Sequence, residues 1–160
     1  MVNVDNFNND YDTGHKVEIE VLNFVKKKYP LAKLMTGNFP DYDIIIPEIN
    51  ESIEVKYDKK AAKTENLFFE TFFQAPNDTE KRPAGINRTK ATQWFQVDDT
   101  YYYMMPIENL KYLIKEGLED HSVREIKAPT GKDGTQVWGY ISPRMHFENS
   151  PYVTTKKRPK

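Results

Sequence analysis

Two short apolar segments with charged residues inside them constrain the fold more than any other feature of the chain. Residues 43–46, "DIII", and residues 52–57, "SIEVKY", are typical of neighbouring strands joined through "PEINE". Because alternate residues of a strand share a face, Glu54 and Lys56 point to one side of the second strand and the apolar residues beside them to the other. The pattern predicts a buried ribbon, so the charges within it need a specific reason.

The same apolar pattern limits how these two strands pair. If both apolar sets lie on one face of an antiparallel ribbon, the numbers of paired residues sum to an odd value, and 97 and 99 are the most plausible sums. Asp43 then lies directly across from Glu54 or from Lys56. The hydrophobic pattern by itself therefore predicts a charged pair across the ribbon.

This predicted pairing indicates a metal site. Carboxylates whose Cβ atoms are ~4.5–5.5 Å apart repel each other, and in a protein interior one of them is expected to take up a proton. A divalent cation removes that repulsion, and Mg²⁺ prefers carboxylate, water and phosphate oxygens. Asp43, Glu54 and the backbone carbonyl of Val55 are the candidate ligands. Lys56 beside the metal would orient or help deprotonate a water and stabilise charge on a reacting phosphate, so the pattern predicts phosphodiester hydrolysis with Mg²⁺ or Mn²⁺. A surface hairpin in which Lys56 neutralises both acids is the structural alternative.

The remaining segments predict one domain that alternates helices and strands. Thr13 is the predicted N-cap of a first helix over "GHKVEIEVLNFVKKKYP", which ends at Pro30. A short strand in "LAKLMTG" completes a three-stranded meander with the ribbon. Further along, the patterns predict a strand in "ENLFFETFF", a short helix in "TKATQWFQV", a strand in "TYYYMM", a helix in "IENLKYLIKEGL" and a small hairpin within residues 119–147.

Length and composition bound the class of protein. The 160 residues suit one domain, predicted over residues 13–150, with a flexible lead-in at 1–12 and a flexible basic tail at 151–160. With no cysteine in the chain, any metal must be bound by oxygen or imidazole. Neither a secretory signal nor an apolar stretch near the ~20 residues of a membrane span is present, so we expect a cytoplasmic protein.

Charge is unevenly distributed along the chain. The net charge is −1, but residues 56–90 carry eight basic and five acidic residues. Within them the long loop "QAPNDTEKRPAGINR" has two prolines and a glycine, and we expect it to be exposed and mobile and to close over a phosphate backbone. The candidate nucleic-acid-binding residues are Lys81, Arg82, Arg88 and Lys90.

Several motifs resemble a known family. "PDYDIII" followed by "IEVK" resembles the PD-(D/E)xK nuclease superfamily, and "GHKVE" is similar to the start of the first helix in archaeal Holliday-junction resolvases. "ENLFFE" and "RPAGINRTKATQWFQV" resemble phage and bacterial nuclease-like proteins, so the resemblance covers about residues 14–115. It implies a restriction-endonuclease-like αβββαβ core, with a mixed central sheet flanked by helices. It also implies a metal-dependent deoxyribonuclease of a bacterial or phage-infected cell.

The resemblance assigns roles residue by residue. It implies that Asp43 and Glu54 bind the metal, that Lys56 is the catalytic lysine and that Glu18 is the carboxylate of the first helix. Glu20 competes with Glu18 if the helix is rotated about its axis. Asp41 completes the literal "PD", but Asp43 is preferred because it adjoins the apolar strand.

Glu70 is the remaining acid of interest. It was expected to share a strand face with Phe68 and Phe72, an aromatic setting in which an unpaired carboxylate is costly. We therefore expect it to be an additional acid of the site or the buried partner of Lys90 or Arg88.

A second functional hypothesis stays open at this stage. The net charge near zero and the lack of a strong basic stripe favour a non-catalytic nucleic-acid-binding or assembly module with a nuclease-like fold. No Q-x-x-x-Y helix follows the core, which argues against a RecB-like exonuclease. Related folds often dimerise to cut two strands, so a homodimer is compatible with either hypothesis.

Overall fold

The chain forms two β-sheets and four helices over the residues that the structure describes. The computed structural model describes the backbone of residues 4–160 and the side chains from residue 12 onward. It confirms the α/β class and the mixed sheet. The helices are α1 (Val4–Lys26), α2 (Ala61–Thr64), α3 (Ile107–Glu119) and α4 (Arg144–Glu148). The strands are β1 (Lys33–Leu34), β2 (Ile44–Ile46), β3 (Glu51–Tyr57), β4 (Asn66–Gln74), β5 (Arg82–Pro83), β6 (Gln93–Val97), β7 (Tyr101–Pro106), β8 (Arg124–Lys127), β9 (Gln136–Pro143) and β10 (Thr154–Lys157).

The first sheet contains the predicted meander. Its strand order is β1-β2-β3-β6-β7-β10. Strands β3 and β6 pair in parallel, and the other four described strand pairs of this sheet are antiparallel. Ile44 pairs with Ile53, so the register sum is 97 rather than 99. Extending this register by one residue places Asp43 opposite Glu54, which was one of the two predicted pairings.

The second sheet corrects the sequence-based expectation for the middle of the chain. Its order is β5-β4-β9-β8, so the crossover from β3 to β6 runs through β4. The predicted helix in "TKATQWFQV" is wrong, because Gln93–Val97 is strand β6. Trp94 is fully buried and faces one core, while Phe95 and Val97 belong to the other. A strand buried on both faces has a continuous apolar run, which periodicity does not separate from a buried helix.

Two apolar cores lie on opposite faces of the first sheet. The core under α1 includes Val17, Val21 and Val25, which recur every four residues along one side of the helix. The other core joins the first sheet to α3, α4 and β4, and its largest members include Trp94 and Phe147. No helix within residues 4–160 is long and apolar enough to cross a membrane.

Both chain ends differ from the sequence-based expectation. Helix α1 begins at Val4, so Thr13 lies inside it and is not its N-cap. The predicted lead-in at residues 1–12 therefore contains helical residues 4–12, and residues 1–3 lie outside the described residues. The predicted flexible tail at 151–160 contains β10, which pairs with β7 and so satisfies the backbone groups of an otherwise open sheet edge.

Arg158 binds the C-terminal segment, residues 151–160, to α1. Its Nε donates to Glu20 Oε2 at 3.0 Å and its Nη2 donates to Glu20 Oε1 at 3.0 Å, in a bidentate pair. Its Nη1 also donates to the carbonyl of Asp98 at 3.1 Å. Tyr102 OH donates to the same Glu20 carboxylate. The last residues of the chain are thus held to the first helix by charge as well as by strand pairing.

The segment between β4 and β6 is partly buried against β4 rather than wholly exposed. Ala84 N–H donates to the carbonyl of Thr71 at 2.9 Å. Gly85 has φ of +49°, and a Cβ there would lie 2.2 Å from the backbone oxygen of Glu70, so the contact needs glycine. The expectation of an exposed loop is wrong for Ala84 and Ile86, which are buried beside β4.

We predict that Arg158→Ala lowers the free energy of unfolding by about 1.5–3 kcal/mol, because it leaves the half-buried Glu20 without its charged donor. Urea unfolding of the variant and the wild type measures this difference. Lys157→Ala is the matched control, since Lys157 is the exposed neighbour on the same strand. Equal destabilisation by the two substitutions would contradict the assigned role of Arg158.

Candidate active site

Asp43 and Glu54 come together where β2 and β3 pair. Asp43 N–H donates to the carbonyl of Ile53 at 2.9 Å, which continues the ladder beyond the end of β2. Asp43 Oδ2 in turn accepts a hydrogen bond from Val55 N–H at 2.8 Å. The strand that carries Glu54 therefore also orients the carboxylate of Asp43. Asp41, the alternative from the sequence, does not occupy this position, because its side chain lies 3.8 Å from Lys90 Nζ.

Glu54 is a buried acid with a partner at each carboxylate oxygen. Its relative exposure is 8%, Lys56 Nζ lies 3.2 Å from Oε1, and Thr89 Oγ1 donates to Oε2 at 3.1 Å. Burial raises the pKa of Glu54 to about 7, and the charge of Asp43 adds to that rise, while Lys56 opposes it. Glu54 thus exchanges a proton near neutrality.

The neighbouring acids respond to the same environment. Burial raises the pKa of Asp43, and the Val55 hydrogen bond and Lys56 act against that rise. Burial also raises the pKa of Glu18, followed by the charge of Asp43. Glu18 is therefore the carboxylate of α1 that lies near the site. The competing Glu20 is held by Arg158 and Tyr102 instead.

Lys56 is the cation that interacts with several acids of the site. Burial acts to lower its pKa, but the carboxylates of Glu54, Glu70 and Asp43 outweigh burial, and the pKa is raised. Lys56 therefore stays protonated at neutral pH. A protonated lysine among acids of raised pKa can donate hydrogen bonds and stabilise negative charge on a bound group.

A cleft of about 650 Å³ opens over Glu54 and Lys56. Glu70 lines it from β4, and burial raises the pKa of Glu70 while Lys56 lowers it. Lys56, rather than the predicted Lys90 or Arg88, is thus the cation that acts most strongly on Glu70. The other residues that line this cleft are Pro40, Phe73, Arg82, Pro83, Ala84, Gly85, Arg88 and Thr89.

A β-bulge in β4 decides which aromatic residue faces this cleft. Glu70 pairs with Gly139, but Phe72 pairs with Trp138, so the register shifts between Glu70 and Phe72. The prediction that Glu70 and Phe72 share a face is wrong, because neighbouring residues of β9 point to opposite sides. Phe73 takes the position in the cleft instead.

The four predicted basic residues take three different positions, and alternation along the extended segment puts Lys81 and Arg82 on opposite sides. Arg82 and Arg88 line the cleft with Glu54 and Lys56. Lys81 lies on the other side of the second sheet, with its Nζ 4.2 Å from the centre of the Phe72 ring and 5.2 Å from that of Trp138. Lys90 is exposed and lies beside Asp41. The structure thus brings two of the four predicted bases to the site.

The donors at the site suit a hard cation in kind. Asp43, Glu54 and the backbone carbonyl of Val55 are oxygen donors, which Mg²⁺ and Mn²⁺ prefer. Asp43 and Glu54 are neighbouring carboxylates of raised pKa, and a bound cation would stabilise their charged forms. Among the described residues, no three His, Asp or Glu side chains are close enough to form a metal-binding group by themselves. A cation here would therefore rely on backbone, water or phosphate oxygens for its remaining ligands.

Thr89 is the site residue that the sequence analysis did not assign. Its Oγ1 lies 3.1 Å from both Glu54 Oε2 and the carbonyl oxygen of Asp41, so these two acceptors share its one hydroxyl hydrogen. The threonine belongs to the "GINRTKA" segment, and Gly85 at the start of that segment allows the close packing on β4. The signal was present as a motif, but its partner lies 35 residues earlier in the chain.

Comparisons with models of known protein families, with curated proteins and with solved structures found no match for this chain.

We predict that Glu54 makes the protein less stable as the pH rises from about 4.5 to about 7. The folded protein keeps a proton on Glu54 that the unfolded chain releases near its ordinary pKa of 4.5, so raising the pH through this window favours unfolding. Each unit of pKa difference corresponds to about 1.4 kcal/mol.

Glu54→Gln should remove this part of the pH dependence, and urea unfolding at several pH values across the window measures it. Glu116→Gln, which changes an exposed acid of α3, is the control and should keep the wild-type slope. An unchanged slope in Glu54→Gln would show that another group titrates in this range.

Proposed function

We propose that this protein is a Mg²⁺- or Mn²⁺-dependent nuclease that hydrolyses phosphodiester bonds of DNA. The observation that supports it most is the group formed by Asp43, Glu54 and Lys56, of which Glu54 and Lys56 line a cleft, which we call the catalytic cleft, that also has arginines on its wall. Acids that hold a cation, a lysine and basic residues for phosphate are the chemical requirements of this reaction.

Each residue has a distinct role in the proposal. Asp43, Glu54 and the Val55 carbonyl would hold the cation, and this cation would polarise the phosphate and activate a water. Lys56 would leave its ion pair with Glu54 and stabilise negative charge on the phosphate. Glu18 and Glu70 lie near Lys56, and either could accept a proton from the attacking water.

We also propose that α1, the β1–β3 meander and β6 form a restriction-endonuclease-like core. The support is their order along the chain and the parallel pairing of β6 with β3. The connection from β3 to β6 departs from the expected αβββαβ order, because it passes through β4 and β5 of the second sheet and its one α-helix, α2, has four residues.

We predict that Glu54→Gln and Lys56→Met each reduce metal-dependent DNA cleavage by at least about a hundredfold, because the first removes a charged ligand of the cation and the second removes the charge that stabilises the reacting phosphate. Cleavage of labelled single-stranded, duplex and branched DNA with Mg²⁺ or Mn²⁺ measures this loss. Circular dichroism and urea unfolding must show that both variants stay folded.

Glu51→Gln is the matched control for these variants. Glu51 is an acid at the start of the same strand, and it bonds to Gln93 Nε2 at 2.6 Å outside the catalytic cleft. The Glu51→Gln protein should cleave DNA at the wild-type rate. Wild-type cleavage by folded Glu54→Gln and Lys56→Met proteins would refute the nuclease proposal.

We predict that Arg82→Gln/Arg88→Gln weakens DNA binding and lowers its log-log salt slope by about 1.4–1.8, at ~0.7–0.9 per phosphate contact. Both arginines line the catalytic cleft. Lys81→Gln is the control, because Lys81 neighbours Arg82 but packs on Phe72 and Trp138 on the other face. Equal slopes for the double variant and the control would contradict phosphate binding by the arginines.

A non-catalytic DNA-binding or assembly module is the second candidate. One observation favours it, because both carboxylate oxygens of Glu54 already have partners within the protein. A site closed in this way could keep its fold without turnover. Salt-sensitive DNA binding without cleavage in Mg²⁺, Mn²⁺ or Co²⁺ would favour this candidate, and cleavage of any DNA substrate would exclude it.

A further inference from the structure

A second cleft of about 650 Å³ meets the catalytic cleft at Lys56 and Glu70, which line both. Its wall is the face of the second sheet that carries Phe68. In the register of β4, β9 and β8, Phe68 pairs with Ile141 and Ile126 pairs with Gly139, so these side chains share that face. We call this second cleft the apolar groove.

The centre of the apolar groove is shaped by a ring that lies over a glycine. A Cβ on Gly139 would come within 2.5 Å of Phe68 Cζ, so the absence of a side chain there leaves the room that the ring occupies. Phe68 is half-buried, as are Ile126, Val137 and Ile141 beside it on the wall. The groove thus presents a partly exposed aromatic ring and aliphatic side chains next to Lys56.

Hydrogen bonds hold the backbone at Phe68, in the wall of the apolar groove, against the first sheet. Phe68 N–H donates to Asp58 Oδ2 at 2.8 Å. Gln96 Nε2 donates to the Phe68 carbonyl at 3.1 Å and to Asp58 Oδ2 at 3.3 Å. Gln96 is buried in β6 and pairs with Lys56 on β3. The position of Phe68 relative to Lys56 is therefore set by the fold, not by a mobile loop.

The charges along the two joined clefts follow one pattern. Lys59 and Lys60 are exposed and line the apolar groove. Arg82 and Arg88 line the catalytic cleft, and the acid Glu70 lies where the two clefts meet. This pattern complements a polyanion that contacts both clefts.

We propose that the substrate is an unpaired strand of DNA whose bases lie against Phe68 in the apolar groove while its backbone passes Glu54 and Lys56. This inference rests on the proposed nuclease function. A duplex hides the faces of its bases, whereas an unpaired strand exposes them to an aromatic and aliphatic wall. The apolar wall contributes to binding only if bases reach it, and the lysines and arginines of the two clefts hold the phosphates.

Binding in a chelating buffer tests the inference without any need for cleavage. The probes are a labelled single strand of mixed sequence, its blunt duplex and the same duplex with an unpaired tail. The full-length wild type should bind the single strand and the tailed duplex at least about tenfold more tightly than the blunt duplex. Phe68→Leu keeps an apolar side chain over Gly139. It should weaken binding of the single strand and of the tailed duplex by about fivefold or more and leave binding of the blunt duplex unchanged.

Phe72→Leu is the matched control, because Phe72 is on the same strand but on the opposite face. It should bind all three probes as the wild type does. A second variant avoids the sheet altogether: Lys59→Gln/Lys60→Gln should lower the salt slope for the single strand by about 1.4, at ~0.7 per phosphate. Lys111→Gln/Lys115→Gln, which changes two exposed lysines of α3, should not.

The outcomes separate this inference from the nuclease proposal. Equal affinity of the wild type for the single strand and the blunt duplex, or unchanged single-strand affinity in both groove variants, overturns the inference. If Mg²⁺-dependent cleavage still requires Glu54 in that case, the nuclease proposal stands without it. If no DNA is cleaved but single-strand binding depends on Phe68, the groove assignment is supported and the nuclease proposal fails.

Discussion

The burial of Glu54 within β3 is the constraint on which the candidate site depends. A carboxylate that is only 8% exposed needs partners, and here they come from Lys56 two residues later and from Thr89 on a separate segment. Thr89 reaches Glu54 because its own loop is fixed to the Asp41 carbonyl and to β4. The polar contacts of one buried acid thus tie together segments that are distant in the sequence.

The two faces of the first sheet serve different purposes. The face under α1 is apolar, with Ile53 and Val55 of β3 in its core. The opposite face carries Glu54 and Lys56 and continues into the contact with the second sheet through Gln96. Trp94 Nε1 donates to Gln96 Oε1 at 2.9 Å, so this buried amide is satisfied on both its oxygen and its nitrogen. A satisfied polar network can hold two sheets at a fixed position beside a charged site.

In the C-terminal segment and in the middle of the chain, tertiary contacts override the structure that the local sequence pattern predicts. The segment at 151–160 has the composition of a solvated tail, yet β7 offers it an open edge and Glu20 offers Arg158 a charged partner. Residues 93–97 are apolar enough for a helix or a strand, and pairing with both β3 and β7 decides for the strand. In each case the deciding interaction comes from residues far away in the sequence.

The sequence by itself determined the α/β class, the β1–β3 meander and the pairing of Asp43 with Glu54 or Lys56, because strand alternation and burial of one face leave few registers. It also determined Lys56 as the neighbour of Glu54, since residues two apart share a strand face. Tertiary structure alone selected Glu18 over Glu20, because Arg158 from the far end of the chain occupies Glu20. It alone moved Phe72 away from Glu70, because a single bulged residue reverses the side to which the rest of a strand points. It alone also placed Arg82 rather than Lys81 at the cleft, because pairing with β4 decides which of two neighbouring residues faces that side.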